Sequence, residues 1–180
     1  MIDYKALFAQ MHPGFFDRES IRCMPADEIM EEMVLALPGC ALPCAPDAPA
    51  SVSFGLYHGD MAPLHAAVGE VDPSWVQYFT PESRILCAYD GERIAAFCLI
   101  DDMGVFGGLR IGGPGCVGTV PRCRRRGIGL KMVEHATRIL QREGFDLSYI
   151  HYTGVARWYE KLGYQTMLAW GAGGFLSDRS

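Results

Sequence analysis

The most constraining feature of this 180-residue sequence is the arginine-glycine run from Arg124 to Gly129, together with the segments on either side of it. A β-prone stretch, residues 116–120, precedes the run and ends at Pro121, which has no N–H group to donate to a strand ladder. After the run, apolar residues recur on one face of a helix predicted from Ile128 to about Arg142, with charged residues on the other face. The sequence therefore predicts a strand, a glycine-containing loop and a helix in succession.

The start of this helix is expected to bind an anion, because its first N–H groups have no intrahelical partner and the peptide dipoles make that end electropositive. Gly127 and Gly129 would let a pyrophosphate approach the backbone closely, and the arginines at 124–126 would add charge-assisted contacts. The alternative, a nucleic-acid or sorting patch, suits an acidic chain with one basic run poorly, since the net charge is -5. We expect a small phosphate-bearing ligand and no nucleic-acid partner.

A second motif lies further along the chain, where Ala156 and Tyr159 are followed by Leu-Gly-Tyr at 162–164. With Arg124-x-x-Gly127-x-Gly129, this sequence resembles the GNAT superfamily of acyl-CoA-dependent N-acyltransferases. That family has a pyrophosphate loop Gln/Arg-x-x-Gly-x-Gly/Ala, then an Ala, a Tyr three residues on, and Leu-Gly-Phe or Leu-Gly-Tyr. The resemblance covers roughly residues 51–176 and implies an α/β fold, a mixed sheet with helices on both faces.

The resemblance also implies an activity, the transfer of an acetyl group from acetyl-CoA to an amine of a small molecule or peptide, without a metal. In the family, backbone N–H groups polarise the acyl carbonyl and hold the pantetheine arm and the pyrophosphate. The corresponding cofactor-binding residues here are Gly118, Thr119, Val120, Arg124, Arg125, Arg126, Gly127, Ile128, Gly129 and Leu130. Tyr159 matches the family's proton donor to the leaving thiolate, since a phenol stays protonated at neutral pH. Its alternative role is packing beside Trp158.

The general base is left open by the sequence. Some relatives have a Glu twelve residues before the tyrosine, where this chain has Leu147. Candidates are His151, because imidazole accepts a proton near neutral pH, and Asp101 or Asp102 at the end of a predicted hairpin strand. A water chain is a further alternative. The Asn that relatives often place seven residues before the tyrosine is Tyr152 here.

The chain is predicted to have two parts, a helical N-terminal extension (1–50) and a GNAT-like core (51–180). In the extension, residues 3–11 and 26–36 are predicted helices, and the proline-rich residues 38–50 are a connector. The predicted core elements are strands at 52–57, 86–89, 93–100, 117–120, 147–152 and 164–170, and helices at 61–71, 74–79, 128–142 and 154–162, with a glycine-rich stretch at 104–115. Asp90-Gly91 is a strong hairpin signal.

The end of the chain departs from the family, which usually closes with two strands. After residues 171–174 only Phe175 and Leu176 could form a last strand. The last strand is therefore very short, missing, or replaced by a segment of the extension or of a partner subunit, and a homodimer is one of the alternatives.

Seven cysteines without paired metal spacing, several in strand-like apolar segments, favour a reducing cytoplasmic location and no metal site. No apolar run approaches the length that crosses a membrane, so we expect no membrane partner. Two other functions are considered. A non-catalytic acyl-CoA sensor or interaction module is compatible with the unassigned base. A dinucleotide-binding domain is less compatible, because residues 127–132 lack a third glycine.

Overall fold

The computed structural model describes residues 2–176, which form one eight-stranded mixed sheet with helices on both faces. The strands are β1 Met30–Ala36, β2 Val52–Leu56, β3 Ile85–Asp90, β4 Arg93–Phe106, β5 Leu109–Thr119, β6 Leu147–Thr153, β7 Gln165–Gly171 and β8 Gly174–Phe175. The α-helices are α1 Tyr4–Met11, α2 Glu19–Arg22, α3 Met61–Gly69, α4 Ile128–Arg142 and α5 Ala156–Tyr159. Short 3-10 turns lie at Phe15–Asp17, Pro73–Tyr78, Pro121–Cys123 and Glu160–Leu162. The strand order is β2-β3-β4-β5-β6-β1-β7-β8, and only the β5–β6 pair is parallel. The predicted α/β fold class is confirmed.

Side chains from the helices cover both faces of the sheet. On one face, Leu64 of α3 and Met132 of α4 join Met33 of β1 in the main core. On the other face, Leu7 of α1 packs in a cluster with Val34 of β1. Because Met33 and Val34 are consecutive and both buried, β1 is an interior strand covered on both faces.

The helix predicted for residues 26–36 is wrong, because residues 30–36 form strand β1. This strand pairs antiparallel with β6 on one side and with β7 on the other. Its apolar run is compatible with helical spacing, yet a strand buried on both faces produces the same continuous run. The sheet position beside β7 is therefore filled by the extension of the same chain, and β8 has only two residues. The boundary between residues 50 and 51 stays a prediction.

The glycine-rich stretch at 104–115 is mostly strand, since β4 continues to Phe106 and β5 begins at Leu109. A side chain at Gly113 could not be accommodated, because a Cβ there would lie 1.9 Å from the backbone oxygen of Tyr149 in β6. Glycine in this strand allows close approach of two backbones rather than interrupting the strand.

Most other predicted elements are present with small shifts at their ends. The Asp90-Gly91 hairpin joins β3 to β4. Helices α1 and α4 lie where the apolar periodicity places them. The predicted helix at 154–162 is shorter, with α5 ending at Tyr159 and a 3-10 turn continuing to Leu162.

Candidate active site

The candidate site lies where the parallel strands β5 and β6 separate. They pair only at Ile111 with Leu147 and at Gly112 with Ser148, and beyond these pairs both strands continue without pairing to each other. Two cavities open there, of about 840 Å³ and about 480 Å³. They share three lining residues, Val117, Val155 and Tyr159. A ligand in one cavity can therefore meet a ligand in the other at Tyr159.

The smaller cavity is bounded by the loop before α4 and by the first turn of that helix. Gly127, with φ of 76°, caps the helix without a side-chain hydrogen bond. The first intrahelical bond runs from the Lys131 N–H to the Gly127 carbonyl, at 3.1 Å. The preceding amides at 128–130 therefore lack intrahelical partners, as expected of an anion-binding helix terminus. The predicted cofactor residues that line this cavity are Gly118, Thr119, Arg124, Arg125, Gly127, Ile128, Gly129 and Leu130.

Two of the predicted cofactor residues lie outside this cavity lining. Val120 is fully buried, and its N–H donates to the Ala95 carbonyl at 3.0 Å. The Arg126 guanidinium donates to Asp90 at 2.6 Å, so it holds the loop against the β3–β4 hairpin. Among the arginines of the run, Arg124 donates to the Thr119 carbonyl at 3.1 Å.

The larger cavity is lined by both parts of the chain. Residues between Met11 and Ile21 form one wall. The ends of β4, β5 and β6 contribute Asp101, Cys116 and His151 to the others. This arrangement places carboxylate and imidazole groups in a cavity that Tyr159 also lines.

Tyr159 is 6% exposed and packs edge-on against Trp158, with ring centroids 4.8 Å apart. Its hydroxyl has no hydrogen-bond partner among residues 2–176, but the oxygen is not fully buried, so it is not left unsatisfied in the core. Burial, and then the neighbouring Tyr164, raise the pKa of Tyr159, so the phenol stays protonated across the physiological range. Its oxygen is therefore available to donate a proton into the cavities.

Unlike Tyr159, which borders both cavities, Tyr164 belongs to the core. Its hydroxyl bonds to Ser148 at 2.6 Å and to Thr137 at 2.8 Å, and its side chain is 1% exposed.

His151, predicted as a candidate base, lines the larger cavity with 27% of its side chain exposed. Its Nδ1 lies 2.9 Å from one oxygen of Glu32 and 3.1 Å from the other. Glu32, in β1, is fully buried. Glu32 was not predicted from the sequence because residues 26–36 were assigned to a helix. Treating them as a strand would have placed Glu32 on the same buried face as Val34.

The two aspartates predicted as alternative bases differ in environment. Asp102 is exposed and pairs with Arg110 at 2.9 Å, as a solvated turn residue would. Asp101 is half-buried in the larger cavity, and burial raises the pKa of its carboxyl group. Tyr152, in the position of the family's Asn, has a φ of 58°, and its hydroxyl lies 3.5 Å from the Met24 sulfur.

Within residues 2–176 no group of three or more His, Cys, Asp and Glu side chains is arranged to hold a metal ion. In the same part of the chain, no helix combines the length and apolar character needed to span a bilayer.

Comparison with known proteins identifies the domain. Residues 81–166 match the family model of the acetyltransferase (GNAT) domain. No curated protein sequence matches the chain.

Solved structures with the same fold include a glucosamine N-acetyltransferase region of a fungal multi-domain GH3 β-N-acetylglucosaminidase (TM-score 0.67, 23% identity, 82% of this chain and 20% of that one). Another is a GCN5-related N-acetyltransferase from Sphaerobacter thermophilus (TM-score 0.62, 22% identity, 81% of this chain and 50% of that one). A third is a GCN5-related N-acetyltransferase from Kribbella flavida (TM-score 0.58, 20% identity, 86% of this chain and 60% of that one). This chain thus spans between a fifth and three fifths of their lengths. Residues 81–166 thus match the acetyltransferase (GNAT) domain, and the fold of the chain is that of GCN5-related N-acetyltransferases.

Proposed function

We propose that this protein is an N-acetyltransferase that moves an acetyl group from acetyl-CoA directly to an amine. The observation that carries the proposal is the meeting of the two cavities at Tyr159, between the separated strands β5 and β6. One cavity is suited to a phosphate-bearing donor and the other contains groups that could bind and deprotonate an amine. A direct transfer requires both substrates to be bound at once, with their reacting ends in contact.

The residues of the smaller cavity fit the polyanionic end of acetyl-CoA. The amides at 128–130 and the side chains of Arg124 and Arg125 would hold the pyrophosphate. Backbone groups of Gly118 and Thr119, which border the same cavity, would hold the pantetheine arm. Acetyl-CoA supplies the acetyl group as a thioester when bound.

Two side chains that line the larger cavity would move protons. His151 would take a proton from the acceptor ammonium, which leaves the nitrogen lone pair free to attack the thioester carbonyl. The carbon–nitrogen bond forms and the carbon–sulfur bond breaks, and Tyr159 would donate its proton to the leaving sulfur. The second proton lost by the attacking nitrogen would return Tyr159 to its protonated form, and His151 would release the first proton to solvent. The products are the acetylated amine and CoA, so no further reactant is needed.

Residues 1–50 would act as part of the acceptor site, because they form one wall of the larger cavity. All seven cysteines are free, which supports a proposed cytoplasmic location.

The direct test is thiol release from acetyl-CoA with a panel of primary amines, with calorimetry of CoA binding alongside it. The proposal expects CoA binding and amine-dependent thiol release that is lost in the Tyr159→Phe variant. CoA binding without acetylation of any amine would instead indicate the sensor function. Absence of CoA binding would reject both.

A further inference from the structure

We propose that Glu32, from the N-terminal extension, holds His151 in the tautomer whose Nε2 can accept a proton. Glu32 is then a positioning residue, and the pair acts as one carboxylate–imidazole unit. This inference rests on the proposed role of His151 as the base, and it assigns to the first fifty residues a part in the chemistry as well as in the cavity wall.

The first step concerns the ionisation of Glu32. Trp170 Nε1 donates to its carboxylate at 2.8 Å and the Tyr152 backbone N–H donates at 3.2 Å. Both groups can only donate, so Oε1 of Glu32 accepts from both, as it does in an ionised carboxylate, and Oε2 faces Nδ1 of His151. No arginine or lysine pairs with Glu32 among residues 2–176, where His151 is its one ion-pair partner. A fully buried carboxylate is costly unless it is hydrogen-bonded, and His151 provides the remaining contact.

The second step concerns the tautomer of His151. An ionised Glu32 can only accept, so Nδ1 of the imidazole carries the hydrogen and donates it. In the neutral ring, Nε2 then holds a lone pair. Nε2 has no hydrogen-bond partner within residues 2–176. It is not fully buried either, so it is accessible from the cavity. The ring lines the same cavity as Tyr159. Nε2 is thus the basic atom that an acceptor in the cavity can reach.

The third step concerns the orientation of the ring, which the extension also controls. His12 stacks on His151, with centroids 4.0 Å apart and planes 13° from parallel. Phe15 packs edge-on against the His151 ring, with ring centroids 5.4 Å apart. Burial, and then the proximity of His151, lower the pKa of His12 to about 4, so the stacked ring is neutral at pH 7. The imidazole of His151 is therefore held between a carboxylate and two uncharged rings.

Nitrogen-15 NMR of the full-length wild-type protein tests this proposal without any substrate. When the imidazole of His151 is neutral, its expected spectrum shows a hydrogen-bearing Nδ1 and an unprotonated Nε2. The His151 resonances are assigned by their loss in His151→Asn. The opposite tautomer, or a mixture of the two, would overturn the proposal. Because the spectrum needs neither acetyl-CoA nor an amine, this test stands even if the acetyltransferase function fails.

The variant Glu32→Gln tests the consequence for turnover. The carboxamide oxygen can still accept from Trp170 and Tyr152, while its NH₂ group would donate to Nδ1 and favour hydrogen on Nε2. We expect the NMR tautomer to change and kcat to fall by about 100-fold or more, with the KM for acetyl-CoA unchanged. In the His151→Asn background, Glu32→Gln should cause no further loss, because both act through one group. Additive losses would show a merely structural role for Glu32.

A second inference, carried by a different group, concerns the class of acceptor. The geometry points to Asp101 as the anchor for the ammonium of a primary amine attached to an aromatic or apolar body. The Asp101 carboxylate is half-buried in the larger cavity, without a hydrogen bond or ion pair among residues 2–176. It lies against β5 at Gly115, where a Cβ would be 2.6 Å from its Oδ2. Glycine at this position therefore leaves room for the carboxylate.

Aromatic rings border the same cavity and favour an apolar acceptor body. Trp75 and Phe15 line it, and so do Tyr78 and Tyr152, which are 53% and 41% exposed. Rings that are open to a cavity can contact an aromatic substituent and can also attract a cation through their faces.

The test compares phenethylamine with glucosamine and spermidine, and rests on the proposed transfer activity. We expect the highest kcat/KM for phenethylamine, and a rise of about 10- to 100-fold in its KM in Asp101→Asn, with the KM for acetyl-CoA unchanged. Asp27→Asn, which makes the same change at an exposed aspartate outside the cavity lining, is the control. A higher kcat/KM for glucosamine or spermidine, or an unchanged KM in Asp101→Asn, would overturn the inference. Calorimetry of phenethylamine binding in the presence of CoA, where no reaction occurs, measures the same preference if turnover is absent.

Discussion

Tyr159→Phe should separate catalysis from stability in this protein. The substitution removes the proton donor and keeps the ring, which packs edge-on against Trp158. The Tyr159 hydroxyl has no partner within residues 2–176, so its loss leaves no buried group unpaired, and the free energy of unfolding should change by less than about 1 kcal/mol. A general acid contributes about 100-fold or more, equivalent to about 2.7 kcal/mol of activation free energy. Single-turnover thiol release, with acetyl-CoA prebound, measures this step directly.

Tyr164→Phe is the matched control, because it makes the same chemical change five residues away. Its hydroxyl has two partners, Ser148 and Thr137, so we expect a loss of about 1–3 kcal/mol in urea unfolding with little change in single-turnover rate. The two variants should therefore show opposite effects. An unchanged single-turnover rate in Tyr159→Phe would refute the acid role and leave Tyr159 as a packing residue.

Three further predictions concern the donor loop, the sheet and the pH dependence of stability. Arg125→Glu should weaken CoA binding by about 10- to 100-fold in calorimetry, whereas Arg142→Glu at the opposite end of α4 should leave it unchanged. Gly113→Ala should lower the free energy of unfolding in urea by about 1–3 kcal/mol or more, because its Cβ would lie 1.9 Å from the β6 backbone. Gly55→Ala is the control and should not cause this loss, because its Cβ would meet nothing within 4 Å. The pKa of His12 in the folded protein, about 4, lies below the ordinary histidine value of 6.5, so between these values the unfolded chain binds a proton that the folded protein excludes. The free energy of unfolding should fall as pH drops from about 6.5 to about 4, and His12→Phe should reduce that slope; an equal slope in both proteins would contradict the assignment.

Elements with a clear periodicity and capping signal were predictable from the sequence. The α4 helix and the Asp90-Gly91 hairpin are examples, because amphipathic spacing and turn residues act locally. Strand β1 was not predictable in the same way. Its conformation depends on pairing with β6 and β7, which lie far along the chain, and its apolar run alone does not distinguish a buried strand from a helix.

For the site too, contacts between residues close in sequence were predictable and contacts between distant residues were not. The loop before α4 is built from residues close in sequence, so the pattern from Arg124 to Gly129 was enough to predict a glycine loop at a helix start, while its role in donor binding stays a prediction. The Glu32–His151 contact joins residues on strands that only the folded sheet brings together. Arg126 belongs to the motif, but the pairing of its side chain with Asp90 was not predictable from the local pattern, and its role in cofactor binding stays a prediction.

The central position of β1 has a consequence for biogenesis. This strand leaves the ribosome early, but its two neighbours begin only at residues 147 and 165. At typical rates of synthesis its edges remain unpaired for about 5–20 seconds, so the nascent chain exposes an apolar strand that is open to chaperones or to misassembly. The same late docking step brings Glu32 to His151. We therefore expect a newly made chain to assemble its donor loop first and to become catalytically competent only when its earliest strand is inserted.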